Sequence, residues 1–327
     1  MRKKLLVGVL CAMVVLAGCN RNNANNDNNG STSSGGSAVE ESNGSANESD
    51  GSADGAGGSV DESDSSVDNG GAQSVVSDAT IEETVVLDQD DIKITATELD
   101  VNGDMGPELK LAIENNSSKY VSISAQNSSI NGYMIDGFIY TELSAGKKAN
   151  SSMVFDTKSL EASGIKDIAS IEFSIVATDL EAFDTLFQSD RIALTTSVGS
   201  GYEQAYDDSG EIIFDENGIK IVYQKFVADD AQSYSSYAVL YAENNSDKDI
   251  NIYSESASVN ESMVDGYLTS ASIMAGKKSV MRFSFRTEDL AENGIEGVER
   301  IETTFVISDI NSYEQITKTP AISIDVQ

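Results

Sequence analysis

The sequence predicts an all-β protein: two tandem antiparallel β-sandwich domains, each with one short helix, behind a segment with no core of its own. Three observations carry this prediction. Apolar residues recur with a period of two, the same pattern occurs twice at a nearly constant offset, and residues 20–80 contain no aromatic side chain.

At the N-terminus, Arg2, Lys3 and Lys4 precede an apolar run from Leu5 to Leu16, followed by Ala17, Gly18 and Cys19. Basic, then apolar, then small is the order of an export signal, here residues 1–18. The run is too short to cross a hydrocarbon core of about 30 Å, which needs about 20 residues. Leu16-Ala17-Gly18-Cys19 resembles the lipobox of bacterial lipoprotein precursors. That resemblance implies that Cys19 is lipidated, becomes the mature N-terminus and anchors the chain on the extracellular face of the cell membrane. Two acyl chains, at about 0.8 kcal/mol per buried CH₂, suffice for stable attachment. The alternative is an ordinary secretory signal cleaved near Gly18. Cys11 falls inside the signal, so the mature domains have no thiol to pair and rely on burial alone.

From Asn20 to about Thr80 the chain is rich in Asn, Ser, Gly and acidic residues. Such a composition cannot bury enough apolar surface to offset ordering entropy. Residues 19–80 are therefore expected to form a disordered acidic linker, with a contour of up to roughly 200 Å.

Behind it the chain repeats itself. Leu87-Asp88-Gln89-Asp90-Asp91-Ile92-Lys93-Ile94 matches Phe214-Asp215-Glu216-Asn217-Gly218-Ile219-Lys220-Ile221. Glu114-Asn115-Asn116-Ser117 matches Glu243-Asn244-Asn245-Ser246, and Met134-Ile135-Asp136-Gly137-Phe138 matches Met263-Val264-Asp265-Gly266-Tyr267. Ala145-Gly146-Lys147-Lys148 matches Ala275-Gly276-Lys277-Lys278. The offset drifts only from 127 (Leu87 to Phe214) to 130 (Ala145 to Ala275), defining repeat 1 at 81–198 and repeat 2 at 199–327.

Within each copy, runs such as Ile92-Lys93-Ile94-Thr95-Ala96, Val121-Ser122-Ile123-Ser124 and Ile250-Asn251-Ile252 alternate as half-buried strands do. Asn-Asn-Ser, Asp-Gly and Ala-Gly-Lys segments separate them as turns. Thr157–Gly164 and Thr287–Gly294 each combine a Ser/Thr cap candidate, early acids, a Leu and a closing Gly, which predicts a helix of one or two turns. About seven or eight strands per copy point to an immunoglobulin-like sandwich in the broad sense, without the Cys…Trp…Cys signature.

The Asp215-Glu216-Asn217-Gly218-Ile219-Lys220-Ile221 opening, the strand end Glu243-Asn244-Asn245-Ser246, the Ala275-Gly276-Lys277-Lys278 turn and their copies resemble immunoglobulin-like modules of unknown function in Gram-positive surface lipoproteins. That resemblance implies an extracellular, non-catalytic module and supplies no catalytic residues.

The chemistry of the chain excludes more than it assigns. There is no His, which removes Ser-His-Asp and Cys-His sets, His-based acid catalysis and most zinc sites. A net charge of −33 disfavours nucleic acid and anionic headgroups. No catalytic residue, metal ligand set or cofactor is assigned. Asp100-Val101-Asn102-Gly103-Asp104 supplies oxygens at the first, third and fifth positions of a calcium loop. Met105 and Leu111 then stand where that loop needs Gly and Glu, so it reads as an acidic loop. Asp88, Asp90, Asp215 and Asn217 read as hairpin-turn residues, Met134 and Met263 as core fillers beside Asp-Gly turns, and both Lys-Lys pairs as solvated turns.

One difference between the copies suggests a contact face. Glu108, Lys110 and Ala112 of repeat 1 are replaced by Tyr237, Val239 and Tyr241, and Ser124 by Tyr253. Sharing one parity, Tyr237, Val239, Tyr241 and Tyr253 are expected to form an aromatic patch on the second sandwich. The patch serves either as a partner-binding face or as a surface packed against repeat 1. The functional expectation is a lipid-anchored extracellular protein that presents two binding modules. Its membrane contact is the lipid on Cys19, and its candidate partners are cell-wall polymer, another surface protein or a host component. A structural spacer of the envelope is the alternative, and a hydrolase of envelope polymer comes third.

Overall fold

The computed structural model describes residues 78–230 and 234–326, which belong to one compact unit. The export signal, Cys19 and nearly all of the expected linker lie outside the described residues. Among the described residues no helix is long and apolar enough to cross a membrane.

The chain is all-β. Repeat 1 contains β1 (Thr84–Gln89), β2 (Ile92–Asp100), β3 (Glu108–Asn115), β4 (Val121–Ile130), β5 (Tyr133–Met134) and β6 (Gly137–Phe138). It continues through β7 (Tyr140–Leu143), β8 (Lys148–Phe155), α1 (Thr157–Ala162), β9 (Ser170–Asp179), β10 (Asp184–Gln188) and β11 (Ile192–Thr195). Repeat 2 matches it element for element. Its first half is β12 (Glu211–Glu216), β13 (Ile219–Asp230), β14 (Ser235–Asn244), β15 (Ile250–Val259), β16 (Ser262–Met263) and β17 (Tyr267–Thr269). The remainder is β18 (Ser272–Ile273), β19 (Lys278–Arg286), α2 (Thr287–Glu292), β20 (Arg300–Asp309), β21 (Gln315–Lys318) and β22 (Ile322–Asp325).

In repeat 1 the sheet β1-β2-β3-β8-β6 lies over a second layer built on β4 and β9. Alternate residues of both layers meet in one core, Ile92, Ile94, Leu109 and Leu111 from the first and Ile123 and Phe173 from the second. Repeat 2 repeats the plan. Its first layer is β12-β13-β14-β19-β17, its second is built on β15 and β20, and Phe283 stacks edge-on against both Phe285 and Phe305 between them. Burying each such ring contributes about 1.5–3 kcal/mol.

The turn chemistry explains the repeated motifs. Asp90-Asp91 and Asn217-Gly218 are the central pairs of two-residue hairpins, and all four residues have positive φ (49°, 63°, 56° and 76°). That geometry favours Asn, Asp and Gly. In the Glu-Asn-Asn-Ser motif the first Asn is fully buried. Asn115 Nδ2 donates to the carbonyls of Lys119 (2.8 Å) and Leu143 (3.1 Å), while its Oδ1 accepts from the amide and hydroxyl of Ser117. Asn244 does the same with Lys248, Ile273 and Ser246. Each Asn thus closes the crossing from one layer to the other.

The two helices fall where expected and close on Gly164 (φ +63°) and Gly294 (φ +69°). Their caps differ from the Ser/Thr expectation. Asp156, one residue before Thr157, accepts from Ser159 N at 2.7 Å, and α2 is preceded by Arg286 with no side-chain cap. A carboxylate accepts from the free amides of a first turn more strongly than a hydroxyl does.

Asn115→Ala leaves two buried carbonyls and the Ser117 amide without their partner. It is expected to destabilise the chain by about 2–4 kcal/mol, read as a lower urea midpoint. Asn116→Ala, at the exposed neighbouring position, is expected to change it by under about 0.5 kcal/mol.

Candidate functional site

The two repeats share one sheet. The second layer of repeat 1 and the first layer of repeat 2 join through β5 and β19, in the order β10-β9-β4-β5-β19-β14-β13-β12. The join is parallel, Lys278 opposite Tyr133, and Lys278 N donates to the Gly132 carbonyl at 2.9 Å. Around it Tyr133 packs on Tyr206 (centroids 5.2 Å apart) and edge-on against Tyr241 (6.3 Å). Tyr206 Oη donates to the Asn131 carbonyl at 3.0 Å, and Lys278 Nζ lies 4.2 Å from the Tyr206 ring centroid. Lys277 Nζ crosses to Glu172 at 2.6 Å. The Lys-Lys turn of repeat 2 is therefore not solvated. Lys277 is buried in the junction, whereas its counterpart Lys147 is exposed.

Burial pushes the Tyr133 hydroxyl up to about 12. It raises Tyr241 as well, helped by the 2.8 Å hydrogen bond from Tyr241 to Glu243. Both phenols stay neutral, so the junction holds no phenolate charge to repel Glu243.

This junction corrects the expected patch. Tyr241 is fully buried against repeat 1 and belongs to the core cluster of that repeat together with Val222. Tyr237 and Val239 share its face but lie beneath neighbouring side chains, with the Arg282 guanidinium 5.0 Å from the Tyr237 ring centroid. Tyr253 is exposed, yet it stands on β15, which pairs with β20 in the opposite layer. The chain changes layers between Asn244 and Ile250, so equal parity does not mean a shared face. The residue that does share it is Tyr267: Tyr237, Ser284 and Tyr267 lie directly opposite one another across β14, β19 and β17.

The Met-x-Asp-Gly-aromatic segments hold something the sequence reading missed. In each copy this segment forms one wall of a groove whose other wall is a β-bulge in the strand before it. The bulge lies between Gln126 and Ser129 in β4, and between Ser254 and Ser256 in β15. Groove 1 measures about 330 Å³ and is lined by Gln126, Asn127, Met134, Asp136 and Phe138, with Ser270–Ser272 of repeat 2 closing its far side. Groove 2 measures about 200 Å³ and is lined by Ser254, Glu255, Ser256, Met263 and Asp265.

The methionines are not core plugs. Met134 is half-buried beside the core of the other repeat, and Met263 is 68% exposed. The glycines are there for contact: a Cβ on Gly266 would meet the Phe283 ring at 2.5 Å, and one on Gly137 would meet Phe155 at 3.0 Å. Behind groove 1, Ser128 Oγ donates to the Ile135 carbonyl (2.6 Å) and accepts from Gly137 N (2.8 Å), pinning the turn to the bulge. Asn127 (φ +56°) and Ser270 (φ +55°) bring left-handed backbone to groove 1 from both repeats. Such conformations are costly for residues other than Gly and collect at functional sites.

Asp136 reaches solvent at the mouth of groove 1, but its surroundings withhold part of its hydration. That loss and the charge of Asp156 hold its carboxyl above the usual range. Among the described residues no three His, Cys, Asp or Glu side chains are grouped to hold a metal ion. Asp100, in the acidic loop, instead faces Lys110 Nζ at 3.6 Å and accepts from Asn102 N.

No protein-family model and no curated protein matches the chain. Among solved structures it is similar to the YadV chaperone, with 11% identity and a TM-score of 0.23 over 72% of this chain and 100% of that one. It is also similar to a protein of unknown function from Porphyromonas gingivalis W83, with 10% identity and a TM-score of 0.19 over 75% and 94% of the two chains. Likenesses at this level carry no argument about function.

Tyr241→Ala empties the junction. It is expected to cost about 3 kcal/mol and to separate the unfolding of the repeats in calorimetry, whereas Tyr253→Ala changes stability by under about 0.5 kcal/mol. Asp136 yields a pH test. Its folded-state carboxyl lies above the unfolded value, so the unfolded chain ionises first and stability falls as pH rises through that window. Asp136→Asn should therefore melt higher than the parent near pH 7 and match it near pH 3, below the usual carboxylate range. A difference of the same size at both pH values would contradict this.

Proposed function

We propose that this is a lipid-anchored protein of the extracellular face whose two immunoglobulin-like sandwich modules bind a ligand at the cell envelope through their grooves. The observation that carries the reading is the duplication of one groove. The same bulge, Met-x-Asp-Gly turn and adjoining exposed aromatic, Phe138 in one copy and Tyr267 in the other, recur in both modules. Exposed aromatics beside a polar concavity favour contact with a ligand. The lipobox ending at Cys19 supports the anchor, and the acidic linker of residues 19–80 supports presentation away from the membrane. A non-catalytic role agrees with a chain that contains no His.

The test uses the full chain with Cys19→Ser. This variant is expected to leave the membrane fraction that retains the parent. Immobilised, it should capture an envelope component, and Phe138→Ala with Tyr267→Ala should reduce that capture at least about tenfold without changing the melting temperature. Equal capture by the doubly substituted chain would overturn the grooves as the binding site, and no capture by either chain would overturn the reading in favour of a spacer.

A further inference from the structure

Building on the groove reading above, we propose that the ligand is a polysaccharide chain that occupies both grooves at once, running along β17. The grooves are neighbours in the covalent structure. Gly266 lines groove 2, Ser270 lines groove 1, and only β17 (Tyr267–Thr269) separates them. Four residue steps of extended chain span at most about 14 Å. Tyr267 and Thr269, both exposed, point outward along this bridge, and Phe138 stands 74% exposed at the far groove. Groove 1 is formed jointly by both repeats, and the shared sheet sets its position relative to groove 2.

The lining selects the class of ligand. The Asn127 and Gln126 amides and the carboxylates of Asp136 and Asp265 present acceptors and donors to a partner rich in hydroxyl groups, whereas Glu255 is paired with Lys318 and the hydroxyls of Ser128, Ser254 and Ser272 already donate within the protein. No lining residue of either groove is basic, and Lys318, beside groove 2, is neutralised by Glu255, which opposes a polyanion in a chain of net charge −33. Apolar lining is confined to a methionine and small residues, with Phe138 and Val264 in addition, so a lipid tail finds too little surface. A sugar ring offers an apolar C–H face to stack on Phe138 or Tyr267 and hydroxyls for the polar walls. An extended peptide adding to the free edge of β17 has only three residues to pair with before Ser270 turns to φ +55°. A ligand that repeats its own units suits a site that repeats itself. Engaging the second groove becomes intramolecular, which raises apparent affinity by about 100-fold or more.

The experiment titrates the full Cys19→Ser chain with protein-free envelope polysaccharide, intact and cut to short fragments by partial acid hydrolysis. Intact polymer is expected to bind about 100-fold tighter per sugar unit than the shortest fragments. Phe138→Ala or Tyr267→Ala alone should erase that length dependence while leaving weak fragment binding and an unchanged melting temperature. Equal affinity for intact and shortest material would overturn the two-groove proposal. Groove-dependent capture of an envelope protein, with no binding of polysaccharide, would overturn the ligand class and leave the binding function standing. Loss of all groove-dependent capture would defeat both.

Discussion

One backbone hydrogen bond, from Lys278 N–H to the Gly132 carbonyl, sets the arrangement of everything downstream of repeat 1. It converts two sandwiches into one structure whose middle sheet contains strands of both. A single such bond is worth only about 0.5–1.5 kcal/mol net, so its position is held by what surrounds it. Tyr206 lies over Gly132, where a Cβ would stand 2.8 Å from the phenol oxygen and where φ is +86°. Tyr133 and Tyr241 close the apolar side, and the Lys277–Glu172 pair closes the polar side. Glycine at position 132 is thus a requirement of both backbone conformation and close approach.

The grooves inherit their placement from this contact. Ser270–Ser272 reach the bulge of β4 because β19 is fixed beside β5, and β17 is fixed to β19. In sequence, the acidic, aromatic-free residues 19–80 precede repeat 1, whereas Ser270–Ser272, which complete groove 1, belong to repeat 2.

Much of the fold was legible because it is local. Period-two burial in β2 and β3, hairpins at Asp90-Asp91 and Asn217-Gly218, and helices closing on Gly164 and Gly294 follow from residues within a few positions of one another. The site was less legible because it depends on which layer a strand joins. Tyr253 has the parity of Tyr241 but the opposite sheet, a fact settled by the Asn244 crossing and not by any spacing. The substitution of Ala112 by Tyr241 did signal a covered face, and the cover proved to be repeat 1. Met134-Ile135-Asp136-Gly137 and its copy were visible as repeats. Their role was not, because a β-bulge leaves no simple mark on alternation, and the groove exists only where the bulge faces the turn.

The contact between the repeats joins two different patches, the β5 end of one module and the β14–β19 face of the next. A head-to-tail contact between like units closes into a ring or grows without limit. Here it does neither, because each module carries only one half of it. Repeat 2 has Glu261 and Ser262 where repeat 1 has Gly132 and Tyr133, and repeat 1 has Thr95 and Ala112 where repeat 2 has Val222 and Tyr241. The divergence of the copies thus gives each repeat one half of the contact and takes the other half away.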